Sequence, residues 1–205
     1  HEVIPCKYVE MDDFNFLYTC VKGLDDNAQM YNALIDLNDK VLLRTEHDLM
    51  NVFKEDSTLL CFQKNAKKGV LNLSGEVLVK PLYQSITIRT DYQSILAVDS
   101  TYTYLIPYQR PNEIYNLGRA SYCDIDTFGR NALVFTIKDF SGGKQISHLS
   151  FFNRNLNLLS QTTAYRMKSN HPGWYVPDHF VILEDTKGAK EYLMNIKTGK
   201  KYKTE

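Results

Sequence analysis

The chain predicts an all-β protein of five tandem antiparallel hairpin units, closed like a propeller or laid out as an open curved array. Three observations predict it. The sequence repeats itself, the repeated segments are short apolar strands in which Val70, Asn72 and Ser74 would point one way and Leu71 and Leu73 the other, and turn-forming residues separate them. Ala33-Leu34-Ile35-Asp36-Leu37 lies over Gly69-Val70-Leu71-Asn72-Leu73, and Val41-Leu42-Leu43 over Val77-Leu78-Val79, at one common spacing that also carries His47 onto Tyr83 and Met50 onto Ile86. Upstream, Tyr18-Thr19-Cys20-Val21 matches Leu59-Leu60-Cys61-Phe62, with the length difference falling in the polar stretch around Asp25 to Asn27, as insertions in loops do.

Each unit reads as an apolar strand, a turn, a second strand, a two-residue polar turn and a third strand. Ser74-Gly75 places glycine where a tight hairpin needs positive φ, and Asn38-Asp39 occupies the same place one unit earlier. The third unit opens at Ile95-Leu96-Ala97-Val98-Asp99, the fourth at Ala132-Leu133-Val134-Phe135-Thr136-Ile137 and the fifth at Phe180-Val181-Ile182-Leu183. Their hairpins follow as Leu149-Ser150-Phe151-Phe152 with Leu158-Leu159, and as Tyr192-Leu193-Met194-Asn195-Ile196 turning at Thr198-Gly199. Between Tyr102 and Pro111 the repeat has drifted and sets no register. The divisions fall near 1–51, 52–90, 91–130, 131–178 and 179–205, one repeat domain in all. Met30, Leu34 and Leu37 could share a helical face, but the repeat assigns this stretch to a strand. An isolated hairpin is marginal in water, so each unit must shelter its apolar face against the next.

Gly69-Val70-Leu71-Asn72-Leu73-Ser74-Gly75-Glu76-Val77-Leu78-Val79-Lys80-Pro81-Leu82-Tyr83 resembles the WG repeat, a bacterial module with a Trp-Gly pair, a short strand, a glycine-centred turn, Val-Ile-x-Pro and a tyrosine. Glu2-Val3-Ile4-Pro5-Cys6-Lys7-Tyr8 matches the end of the same pattern, and the resemblance covers residues 2 to 86. Lys68 stands where the family has tryptophan. The resemblance implies a divergent member, an interaction role rather than chemistry, and a secreted or envelope location in preference to the cytoplasm. The chain opens in what looks like the middle of a repeat, as expected of a mature or trimmed product.

Composition narrows the function further. Twenty-four basic and 24 acidic residues cancel, leaving no net field to attract nucleic acid, and the basic end Lys200-Lys201-Tyr202-Lys203 reads as a solvated tail. No run approaches the roughly 18 apolar residues that span a bilayer as a helix. Cys6, Cys20, Cys61 and Cys123 form no Cys-x-x-Cys pair, and the five histidines do not cluster, so no metal or cofactor is expected. Cys20 and Cys61 share one slot of neighbouring units, and the third unit has Ala97 there, the behaviour of a small buried residue. Asp124 to Asn131 lacks the ligands of a calcium loop, and Ser141-Gly142-Gly143-Lys144 lacks the strand–loop–helix setting of a phosphate loop.

Aromatic residues carry the remaining signal. Tyr102, Tyr104, Tyr108 and Tyr115 concentrate in the most divergent unit, and Trp174-Tyr175 lies in a proline-bracketed loop between His171 and His179. Such rings present large contact area at low entropic cost. A protein partner is expected at these six residues, an immunity-type protein that masks a toxin being one variant. The alternative is a carbohydrate-binding or carbohydrate-acting propeller, in which Asp99, Asp139 and Asp185, each ending the first strand of its unit, would face a common pocket.

Overall fold

The computed structural model describes residues 7–12, 17–119, 123–128, 132–140, 145–168, 179–188 and 191–203, with backbone alone at 50 and 123–128. Among the described residues, twenty strands form five antiparallel four-stranded sheets in chain order. The first holds β1 (Tyr8–Met11), β2 (Tyr18–Leu24), β3 (Met30–Asp36) and β4 (Val41–Thr45). The second holds β5 (Asp48–Val52), β6 (Leu59–Lys64), β7 (Lys67–Asn72) and β8 (Val77–Tyr83). The third holds β9 (Ser85–Arg89), β10 (Ser94–Val98), β11 (Tyr102–Pro107) and β12 (Tyr115–Arg119). The fourth holds β13 (Cys123–Phe128), β14 (Ala132–Asp139), β15 (Ile146–Asn153) and β16 (Leu158–Ala164). The fifth holds β17 (Arg166–Lys168), β18 (Phe180–Glu184), β19 (Glu191–Asn195) and β20 (Lys201–Lys203). The fold is the expected tandem hairpin array, and Met30 to Asp36, where helical spacing competed with the repeat, is strand β3.

Two features differ from the sequence reading. Each sheet has four strands rather than three, because the short strands β5, β9, β13 and β17 lie in sequence at the tail of one repeat but pair with the first apolar strand of the next. The turn after the second apolar strand is also longer than two residues. Asp36 N donates to Lys40 O (3.0 Å), closing a three-residue loop with Asp39 at φ 61°, and Asn72 N donates to Glu76 O (3.0 Å) with Gly75 at φ 84°. This is a type I turn followed by a left-handed residue and a bulge, and both ladders shift register beside it.

The first residue of that loop was the unread signal. Asp36 Oδ1 accepts from Asn38 N (2.8 Å) and Lys40 N (2.9 Å), and Asn72 Oδ1 accepts from Ser74 N and Glu76 N (both 3.0 Å). Asn153 Oδ1 accepts from Asn155 N (3.0 Å) and Asn157 N (2.9 Å), and Asn195 Oδ1 from Lys197 N (2.9 Å). Four sheets thus share one Asx turn, in which a short side chain satisfies backbone donors that the ladder leaves unpaired. The third sheet lacks it: its β11–β12 connection is built instead on Arg110 N to Pro107 O (3.2 Å) and Glu113 N to Arg110 O (2.9 Å), which accounts for the drift of the repeat there.

The chain divides into two compact units, His1–Asp99 with Ile106–Glu113, and Ser100–Leu105 with Ile114–Glu205. In the first, Cys20 and Leu34 of one sheet pack on Leu49, Val52, Leu60, Phe62 and Leu71 of the next. Gly69 lies beneath the Phe62 ring, where a Cβ would stand 2.5 Å from the ring and 2.6 Å from Val79 O. In the second, Val134, Leu149 and Phe151 pack on Val181, Leu183 and Met194. The same junction recurs in both units: the turn at Gly75 meets Leu43 on β4, and the turn at Gly199 meets Ser160 on β16. Ser160 Oγ also donates to Ile196 O (2.5 Å). Burying matched apolar faces between successive sheets supplies the stability that single hairpins lack.

Candidate functional site

Strand alternation sets the position of the predicted tyrosines. Thr103 and Leu105 of β11 point into the protein, leaving Tyr102 (40% exposed) and Tyr104 on the opposite face. Their rings meet edge to face, 6.4 Å between centroids and 70° between planes, and Arg119 of β12 lies across from Tyr102 in the ladder. The structure brings these two together. Tyr115 stands edge-on to Phe152 (5.2 Å), which stands edge-on to Phe135 (5.3 Å), so its ring extends the core. Tyr108 lies beyond the end of β11, its N donating to Gln93 O (3.0 Å). Its hydroxyl is enclosed without a hydrogen-bond partner, and burial, then the carboxylates of Asp56, Glu55 and Asp91, push its pKa up. Trp174 and Tyr175 lie outside the described residues.

Cys20 and Cys61 are free and buried. Burial, followed by the charge of Asp12 and the neighbouring Cys61, pushes the Cys20 thiol up to about 12, and burial raises Cys61 as well. A thiol that stays protonated is neither a nucleophile nor a metal ligand at neutral pH, which fits the packing role read from the repeat. Among the described residues no group of three His, Cys, Asp or Glu could hold a metal ion, and no helix is long and apolar enough to cross a membrane.

A cleft of about 650 Å³ opens in the second unit, lined by Gln145, Ile146, Thr163, Ala164, Tyr165, Asp185, Thr186 and Lys187. Its walls are the start of β15, the end of β16 and the turn after β18. Of the three aspartates expected to converge, Asp185 lines this cleft, and Asp99 and Asp139 are not among its described lining residues. Two of its walls are braced from behind. Tyr165 N donates to Glu184 O (2.7 Å), and Ser147 Oγ donates to Tyr165 O (3.0 Å). The Glu184 side chain is 3% exposed and accepts from Arg166 Nε (2.6 Å) and Gly188 N (2.5 Å), which closes the turn carrying Asp185 to Lys187. Those two donors hold the Glu184 carboxyl below its ordinary value. Lys168 pairs with Glu191 alongside. Sequence reasoning missed Tyr165, Lys187 and Gln145. They sit at strand ends outside the repeated apolar segments, and no local signal marks them.

These features define a tandem antiparallel-sheet repeat protein with an aromatic pair on the β11 face and a braced cleft in the second unit. No family model matches the chain, and no curated protein matches it. Among solved structures it is similar to a eukaryotic initiation factor (14% identity, 97% of this chain and 54% of that one, TM-score 0.46). It is also similar to the acylaminoacyl peptidase of Pyrococcus horikoshii (10% identity, 96% and 39%, TM-score 0.39) and to a chain of a nidogen/laminin complex (10% identity, 95% and 75%, TM-score 0.28). The chain spans about half the length of the first of these and 39% of the second. Likenesses at this level carry no argument about function.

Proposed function

We propose that the protein is a non-catalytic binding module that engages a protein partner through the β11 face bearing Tyr102 and Tyr104. The observation that carries this reading is the edge-to-face tyrosine pair held at the surface of a regular sheet. Rings already fixed by the strand lose little conformational freedom on binding, and tyrosine joins apolar area to a hydrogen-bonding tip. Arg119, across the ladder, adds the residue type that most often accompanies tyrosine at interface centres. The resemblance of residues 2 to 86 to the WG repeat supports an interaction role in a secreted or envelope setting, immunity-type masking of a toxin included.

The test is affinity capture from the source organism with wild type, a Tyr102→Ser/Tyr104→Ser double variant, and Leu82→Ser, which alters an exposed apolar residue of the other unit. A protein retained by wild type and Leu82→Ser but lost by the double variant, at unchanged melting temperature, is the expected result. Equal capture by all three would remove the tyrosine pair from the interface.

A further inference from the structure

The cleft of the second unit has the makings of a small-ligand site that is separate from the tyrosine pair. Its volume, about 650 Å³, lies within the range of pockets that enclose small molecules. Asp185 and Lys187 are the ionised side chains among its described lining residues, one of each sign, and Lys201 Nζ, outside that lining, stands 3.9 Å from Asp185 Oδ1. Phosphorylated ligands need an excess of positive charge and cationic ligands an excess of negative charge, and the described lining offers neither. The uncharged lining joins Ile146, Ala164 and Tyr165 to Thr163, Thr186 and Gln145, so apolar and hydrogen-bonding residues share one concavity.

The geometry points to a neutral saccharide as the ligand, a pyranose whose apolar face packs on Tyr165 and whose hydroxyls reach Asp185, Lys187, Gln145 and the two threonines. A sugar is the ligand class that combines an apolar face with dense neutral hydroxyls, and matching both requires an aromatic plane beside polar groups of both donor and acceptor type. The braces described above make the cleft preorganised. Tyr165 is tied at its N–H and its carbonyl, and the buried Glu184 carboxylate closes the Asp185–Lys187 turn, so ordering these walls costs little when a ligand enters. The Tyr192 hydroxyl, on a residue only 6% exposed, lies beside the Asp185 carboxylate and Thr162. Burial and the neighbouring Asp185 raise its pKa, so it is a protonated donor at neutral pH beside a carboxylate that lines the cleft. This inference does not rest on the proposed protein partner, and either can fail alone.

Ligand-observed saturation-transfer NMR on the full chain tests it, with the methyl glycosides of glucose, galactose, mannose and N-acetylglucosamine, cellobiose and chitobiose as probes, and inorganic phosphate followed by isothermal titration. At least one sugar is expected to bind saturably with millimolar affinity, typical of a single small contact surface. Tyr165→Ala and Asp185→Asn should each weaken that binding about tenfold, equivalent to the loss of roughly one ring contact or one charge-assisted hydrogen bond. Tyr165→Phe, which keeps the ring, should retain it, and so should Tyr102→Ser/Tyr104→Ser. The inference is overturned if no sugar gives saturable transfer, if Tyr165→Ala binds as wild type does while remaining folded, or if phosphate binds more tightly than every sugar.

Discussion

Replacing Asn72 with alanine tests the physical basis of the repeat. Asn72 Oδ1 accepts from Ser74 N (3.0 Å), Ser74 Oγ (2.6 Å) and Glu76 N (3.0 Å), and its Nδ2 donates to Glu76 Oε2 (3.0 Å). All four bonds are exposed, so water replaces part of what is lost and each contributes at the low end of the usual net value, about 0.5 kcal/mol. The two backbone donors and the serine hydroxyl together give a cost of about 1–1.5 kcal/mol, and for a chain of this length each kcal/mol lowers the melting temperature by roughly 2–4 °C. Calorimetry should therefore show Asn72→Ala melting about 3–5 °C below wild type. Alanine at Asp36 and Asn153 should cost similar amounts, because each heads the same three-residue turn, whereas Asn195 heads a four-residue one closed on Lys200. Asp36→Asn keeps the acceptor and should be nearly neutral, and Asn112→Ala, in the β11–β12 connection that lacks the motif, serves as the control. If Asn72→Ala melts with wild type, strand register alone sets the hairpins and the Asx turn is an ornament of the backbone.

Three further outcomes follow from individual contacts. Gly69→Ala places a Cβ against the Phe62 ring and the Val79 carbonyl, and urea unfolding should register a loss of about 2–3 kcal/mol, the usual cost of overpacking; an unchanged midpoint would show that β7 and β8 slide apart freely. Glu184 is held below its ordinary value of 4.5 by Arg166 and the Gly188 N–H. The unfolded chain therefore takes up this proton more readily, and the stability it contributes is full above that value and lost as pH falls through the lower, folded one. Glu184→Gln should flatten the acid limb of a stability–pH profile, and an identical limb would place the acid-sensitive contacts elsewhere. Peptide mapping after iodoacetamide treatment at pH 8 should leave Cys20 and Cys61 unlabelled in the folded protein and labelled in urea, and rapid labelling of either in the native state would contradict its burial.

The repeat and its strands were legible because strand formation is local. Val70-Leu71 and Val77-Leu78-Val79 form short apolar runs bounded by polar residues or glycine, and Gly75 marks the residue at positive φ whichever turn type carries it. The Asx residue at the head of each turn was equally local and was readable once four hairpins could be superposed. Asn65-Ala66 shows the limit of turn chemistry: both residues adopt positive φ (51° and 59°) in a two-residue turn, although alanine has no preference for that region. There the pairing of β6 with β7, ending at Lys64 and Lys67, imposes the conformation.

What the amino-acid sequence determined by itself was the all-β class, the number of repeats, and the slot in which Cys20 and Cys61 are buried. Tertiary structure alone decided that the short strand β5 joins the sheet ahead of it, that Tyr115 turns onto Phe152 while Tyr102 and Tyr104 remain at the surface, and that Gln145, Thr163, Tyr165 and Asp185 meet in one cleft. The reason is one of range. Alternation and turn preference act over a few residues and recur with the repeat, whereas the fit of one sheet against the next depends on side chains far apart in the chain, and the strand ends that meet there lie outside the repeated pattern.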